Sequence, residues 1–170
     1  VLDKAVSIIG EDLGDDEKVS IRINEIIDED DEPYSYDWSA FSIVSPNVVI
    51  ENLKITNNCT YVDQIIYLDG NLASNSLSNI NILNNEIIDE SSYTSYLIYV
   101  SGFKGDVSDI NIKDNKLFNN VYTDYLAVIG FDDRATDDSY NLFNVDISNN
   151  EIFNNAYGIV WYIKTHCSNI

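Results

Sequence analysis

Four groups of side chains in this sequence could do chemistry. The first is acidic. Asp132, Asp133, Asp137 and Asp138 crowd one short stretch beside Arg134, and more acids gather at Glu11, Asp12, Asp15, Asp16 and Glu17 and over residues 28–32. Calcium takes several oxygen ligands, which an Asp-rich loop can supply, so Asp132, Asp133, Asp137 and Asp138 are the candidate calcium ligands. No EF-hand or Gly-Asp nonapeptide pattern accompanies them, and solvated charge is the plainer reading. Asp132–Asp133 also has the form of a hydrolase carboxylate pair, one group to protonate a leaving sugar oxygen and one to activate water. The second group is aromatic. Tyr61, Tyr93, Tyr122 and Tyr157 sit 12 or 13 residues after the starts of a repeated phrase, with Tyr96 and Tyr125 three residues further on in two copies. Tyr93, Tyr96, Tyr122 and Tyr125 are the candidate binding strip, able to grip sugar rings or a partner protein. The same rings could instead cover one edge of a core.

The third group is amides and short acids. Asn52, Asn84, Asp114 and Asn149 share one offset; Asn57, Asp89, Asn119 and Asn154 share another, with Asp28 before them. Such residues tolerate left-handed backbone angles and suit corners, and stacked amides can satisfy the backbone groups that a bend leaves unpaired. The reading is a structural ladder, with a sugar-binding row as the alternative. The fourth group is Cys59 and Cys167, the latter beside the only histidine, His166. A thiol nucleophile needs a base across a packed site and zinc needs about four ligands; neither constellation is visible. Asn58-Cys59-Thr60 is a lone glycosylation sequon.

What must position these residues is a repeat. An eleven-residue phrase reads VVIENLKITNN from Val48, INILNNEIIDE from Ile80, INIKDNKLFNN from Ile110 and VDISNNEIFNN from Val145, with a weaker copy, VSIRINEIIDE, from Val19. Its pattern is apolar, any, apolar, any, Asn/Asp, variable, any, apolar, any, Asn/Asp, Asn/Glu. A short apolar element follows each phrase: IIYLDG to Gly70, LIYVSG to Gly102, LAVIG to Gly130, and FSIVS at 41–45 without the glycine. AVSIIG opens the chain as the same element and GIVWYI at 158–163 closes it. Apolar–polar alternation over three to five positions is a strand with one buried face. One phrase cannot bury that face alone, but stacked phrases bury a continuous core. Ile50, Ile55, Ile82, Ile87, Ile112, Leu117, Ile147 and Ile152 are its expected members. The expected fold is all-β, a single right-handed parallel β-helix of about five coils spanning residues 1–170, part of a longer or polymerising protein. Cys59 and Cys167 then follow phrases three coils apart, about 14 Å along the axis. A bridge within one chain needs Cα atoms within about 7 Å, so free thiols or interchain links are expected.

INIKDNKLFNN and VDISNNEIFNN, followed by GIVWYI, resemble the right-handed parallel β-helix repeat of adhesin-like surface proteins and of polysaccharide lyases and hydrolases. The Asn-rich, Tyr-rich, Lys-poor style looks most like adhesin-like cell-surface proteins of methanogenic archaea. The resemblance implies an extracellular, cell-surface location. β-Helix hydrolases that cut pectin-like chains carry further Asp residues, a His-Gly pair and an Arg-x-Lys. Here His166 precedes Cys167 and Arg-x-Lys is missing. Lyases of this fold use an Arg or Lys base beside calcium-binding acids, a pattern that Arg22 and Arg134 do not complete.

Composition narrows the rest. The 170 residues carry 29 Asp plus Glu against 9 Lys plus Arg, a net charge of −20. That balance repels nucleic acid and anionic membranes. No apolar run approaches the roughly 18 residues of a membrane helix. With no Met, the chain reads as a processed or partial one. The functional expectation is a non-catalytic structural or adhesive segment of a surface protein. The alternatives are a subunit of a self-assembling sheath or surface layer, and a polysaccharide lyase or hydrolase. Expected partners are other copies of itself or neighbouring repeats, and glycans or cell-surface proteins. No cofactor is implied beyond calcium.

Overall fold

A computed structural model describes residues 6–10, 18–23, 39–59, 62–70, 76–91, 94–101, 105–118, 127–132, 141–155, 157–162 and 166–170. Its strands, in chain order, are β1 (Ser7–Ile9), β2 (Val19–Ile23), β3 (Ser39–Ile43), β4 (Val48–Glu51), β5 (Leu53–Asn57), β6 (Gln64–Asp69), β7 (Leu77–Leu83), β8 (Glu86–Asp89), β9 (Tyr96–Ser101), β10 (Val107–Lys113), β11 (Lys116–Phe118), β12 (Ala127–Asp132), β13 (Asn141–Ser148), β14 (Glu151–Phe153), β15 (Tyr157–Tyr162) and β16 (His166–Ser168). Every third strand joins the same sheet, and all the pairings are parallel. Sheet 1 runs β1-β4-β7-β10-β13-β16, sheet 2 runs β14-β11-β8-β5-β2 and sheet 3 runs β15-β12-β9-β6-β3. The chain is a parallel β-solenoid with three strands per turn. Against the five coils expected, three turns (β4–β6, β7–β9 and β10–β12) have paired neighbours on both sides in every sheet.

The phrase is two strands in different sheets rather than one. Ile80 and Ile82 of β7 lie in sheet 1, the chain bends at Asn84–Asn85, and Ile87 of β8 lies in sheet 2. Aliphatic side chains stack in register up each sheet. Ile50, Ile82, Ile112 and Ile147 form one column, and Ile55, Ile87, Leu117 and Ile152 another. The first three of each column are fully buried; Ile147 and Ile152 are half-buried in the last turn. Sheet 3 closes the tube with Ile66, Ile98 and Ile129, and with Leu68, Val100 and Phe131. Phe131 stacks on Trp161 at 4.1 Å.

Three registers differ from the sequence reading. Val19 pairs with Leu53, not Val48, so VSIRI repeats the second half of the phrase. Ser7–Ile9 pairs with Val49–Glu51, so the opening element belongs to the phrase and not to the element that follows it. Gly130 pairs with Tyr99, which itself pairs with Tyr67, so it is not the counterpart of Gly70 and Gly102. In each case apolar alternation allows more than one alignment, and burial on the neighbouring turn decides between them.

Candidate functional site

The corner amides come first, because they hold the strands that carry everything else. Asn52, Asn84, Asp114 and Asn149 all adopt left-handed φ angles, 57°, 50°, 56° and 58°. Their role is the bend itself. Asn84 and Asn149 are exposed; Asn84 reaches Asn52 Oδ1 at 3.4 Å, whereas the structure gives the Asn149 side chain no such bond among the described residues. The coil-to-coil ladder sits one residue later, at the position the phrase leaves variable. Asn85 and Asn115 are 1% and 0% exposed. Asn85 Nδ2 donates to the Ile50 carbonyl at 2.9 Å, and Asn85 Oδ1 accepts the Leu53 N–H at 3.0 Å. Asn115 repeats this with the Ile82 carbonyl and the Asn85 N–H, both at 2.9 Å. Asn150 repeats it with the Ile112 carbonyl at 2.7 Å and the Asn115 N–H at 3.0 Å. A second left-handed column, Asn47, Asn79, Asp109 and Asn144, stands just before the phrases from Val48 on, Asn169 continues it, and its exposed side chains bond between turns.

In the other expected ladder, Asn57 and Asp89 are buried and bonded at 3.0 Å. Ser91 Oγ and Thr94 Oγ1 also donate to Asp89 Oδ1, at 2.7 and 2.9 Å. Asn154 shares the offset but turns outward, with φ 54°. Asn119 and Asp28 lie outside the described residues, and Ile23 stands in the Asn57 column.

The aromatic and acidic candidates converge on sheet 3. Tyr96 stacks on Tyr99, with centroids 4.3 Å apart and rings 17° from parallel. Tyr99 stacks on Tyr67 at 5.5 Å and 29°. Gly130 makes the room: a Cβ there would fall 2.4 Å from Tyr96 Cε1 and 3.0 Å from Tyr99 Cδ2. The Tyr99 hydroxyl donates to Asp132 Oδ2 at 3.3 Å, and the Tyr67 hydroxyl lies 2.9 Å from Ser101 Oγ. Burial, then the neighbouring Asp132 carboxylate and Tyr96 hydroxyl, push the Tyr99 hydroxyl well above the ordinary tyrosine value. Gln64, beside Tyr96 in the register, is buried, and its Oε1 has no hydrogen-bond partner.

The structure thus brings together one residue of the expected aromatic strip, Tyr96, and one of the expected calcium set, Asp132. Tyr93, Tyr122 and Tyr125, with Asp133, Asp137 and Asp138, lie outside the described residues. Among the described residues no group of three His, Cys, Asp or Glu side chains is placed to hold a metal ion. Tyr67, Tyr99, Gln64 and Ser101 escaped the sequence reading. The signal was the matched tyrosine in IIYLDG and LIYVSG. Cys59 is buried and Cys167 exposed, and no disulfide joins them. No family model matches the chain, and neither a curated protein nor a solved structure does.

Proposed function

We propose that this chain is a rigid, non-catalytic segment of an extracellular surface protein that holds glycans on its tyrosine face. The observation that carries this reading is the layer of Tyr67, Tyr96 and Tyr99 over Gly130, with Ser101 and Asp132 beside the hydroxyls of Tyr67 and Tyr99. Half-buried rings offer flat apolar faces to the C–H side of a sugar. A solenoid suits the task because parallel strands fix the spacing of successive rings. The adhesin-like style of the sequence points to the same use, as does a net charge of −20, which disfavours nucleic acid and anionic lipid.

The test is a neutral and acidic glycan array followed by calorimetry on the hits, with any product assayed in parallel. The wild type should bind at least one class of glycan without releasing reducing sugar or unsaturated product. Tyr96→Ala should weaken that binding about fivefold while circular dichroism stays unchanged; loss of one stacked ring is worth roughly 1 kcal/mol. Cleavage of the glycan would overturn the non-catalytic reading, and undiminished binding by the variant would move the site elsewhere.

A further inference from the structure

The corner between sheets 2 and 3 holds more polar chemistry than a bend needs. Asn57 ends β5, Asp89 ends β8 and Thr94 stands two residues before β9; they are 0%, 1% and 0% exposed. Asp89 Oδ1 accepts four hydrogen bonds: from Ser91 Oγ at 2.7 Å, Thr94 Oγ1 at 2.9 Å, Asn57 Nδ2 at 3.0 Å and Ser91 N at 3.1 Å. Asp89 Oδ2, equally buried, accepts none. A buried carboxylate oxygen without a donor is costly, so its presence calls for a reason other than stability.

The neighbours of Asp89 supply one. Asn57 Nδ2 lies 2.9 Å from Thr94 Oγ1, and Asn57 Oδ1 accepts the Cys59 N–H at 3.0 Å. The corner therefore gathers a hydroxyl, a carboxylate bonded to it, a carboxamide, and a backbone N–H on the carboxamide oxygen. Those are the parts of an acyl transfer: nucleophile, base, acyl group and oxyanion donor. The amide carbon is one bond beyond Nδ2, so a small turn of the amide brings it to the roughly 3–3.5 Å of an attack geometry. Ser91 Oγ is the other hydroxyl, 3.2 Å from the same nitrogen; Thr94 is nearer and more deeply buried.

We propose that Thr94 esterifies Asn57, with Asp89 as the base, and so cross-links two neighbouring turns of the solenoid. Asp89 takes the Thr94 hydroxyl proton as Oγ1 bonds to Asn57 Cγ. Charge gathers on Asn57 Oδ1, which the Cys59 N–H already holds. The Cγ–Nδ2 bond then breaks, and Asp89, in contact with that nitrogen as well, returns the proton to it. The products are one ester and one ammonia; nothing is oxidised or reduced, and no co-reactant is needed. Ammonia escapes into water as ammonium, which draws the reaction forward, and the sealed corner keeps water from the ester. A solenoid turn is held only by the turns beside it, so a covalent tie between β5 and the turn of β8 and β9 resists unwinding where hydrogen bonds alone would yield. This goes beyond glycan binding and does not depend on it.

Mass spectrometry of the whole chain, kept folded at neutral pH and then denatured, tests this. Expected is a mass below that of the sequence by one ammonia. Digestion should yield a joined pair of peptides carrying Asn57 and Thr94, which hydroxylamine separates. Thr94→Ser keeps the hydroxyl and should still link. Thr94→Val should retain the full sequence mass. Asp89→Asn should link at least about a hundredfold more slowly, the low end of what a general base contributes. Circular dichroism shows whether each variant is folded, and the wild type decides alone if one is not. A wild type that keeps its full mass overturns the proposal. So do loss of ammonia without the joined peptides, a link that runs to Ser91, and a folded Thr94→Val that still loses ammonia.

Discussion

Two neighbouring asparagines at one corner do different work. Asn84 holds φ at 50°, where a Cβ is disfavoured by roughly 1–2 kcal/mol and a short amide or a glycine is tolerated. Its side chain is exposed, so its contribution is conformational. Asn115, at the residue after the matching bend, is buried, and its amide satisfies the Ile82 carbonyl and the Asn85 N–H. Removing it orphans two buried backbone groups at about 1–3 kcal/mol each. Asn84→Gly should therefore leave the urea midpoint nearly unchanged, while Asn115→Gly should cost at least about 2 kcal/mol. Equal losses in the two denaturation curves would mean that the roles of bend and ladder are not separated as the hydrogen bonds indicate.

The elements were legible in the sequence in proportion to how strictly their columns repeat. The phrase repeats its Ile and Asn positions, so the buried faces of β7, β8, β10 and β11 could be read from spacing. The ladder at Asn85, Asn115 and Asn150 could not, because the turn before it has Leu53 in that place, whose N–H merely ends the ladder. The third strand of each turn was harder still. Glycine suggested a shared end for LIYVSG and LAVIG, yet Gly130 occupies the tyrosine column, and only the ring of Tyr96 packed against it explains the choice. That packing is testable as a pair. Gly130→Ala drives a methyl into the Tyr96 ring and should destabilise by about 1–3 kcal/mol, the usual cost of overpacking. With Tyr96→Ala added, most of that increment should vanish, because the atoms in conflict are gone. A double-mutant cycle by chemical denaturation reads the coupling, and additive losses would show that Gly130 is required for its backbone instead.

At the scale of the whole molecule, a solenoid has no single centre: each turn is held by the turns on either side, so stability is graded along the axis. The columns show the gradient directly. Ile82 and Ile112 are sealed between neighbours, Ile147 and Ile152 are half-covered, and Ile159 is open. Local opening should follow the same order, since its cost tracks the apolar area exposed and the ladder bonds broken. Amide hydrogen exchange should find the slowest amides in β7, β9 and β10 and the fastest in β14 and β15. Protection that is even along the axis would contradict the graded picture.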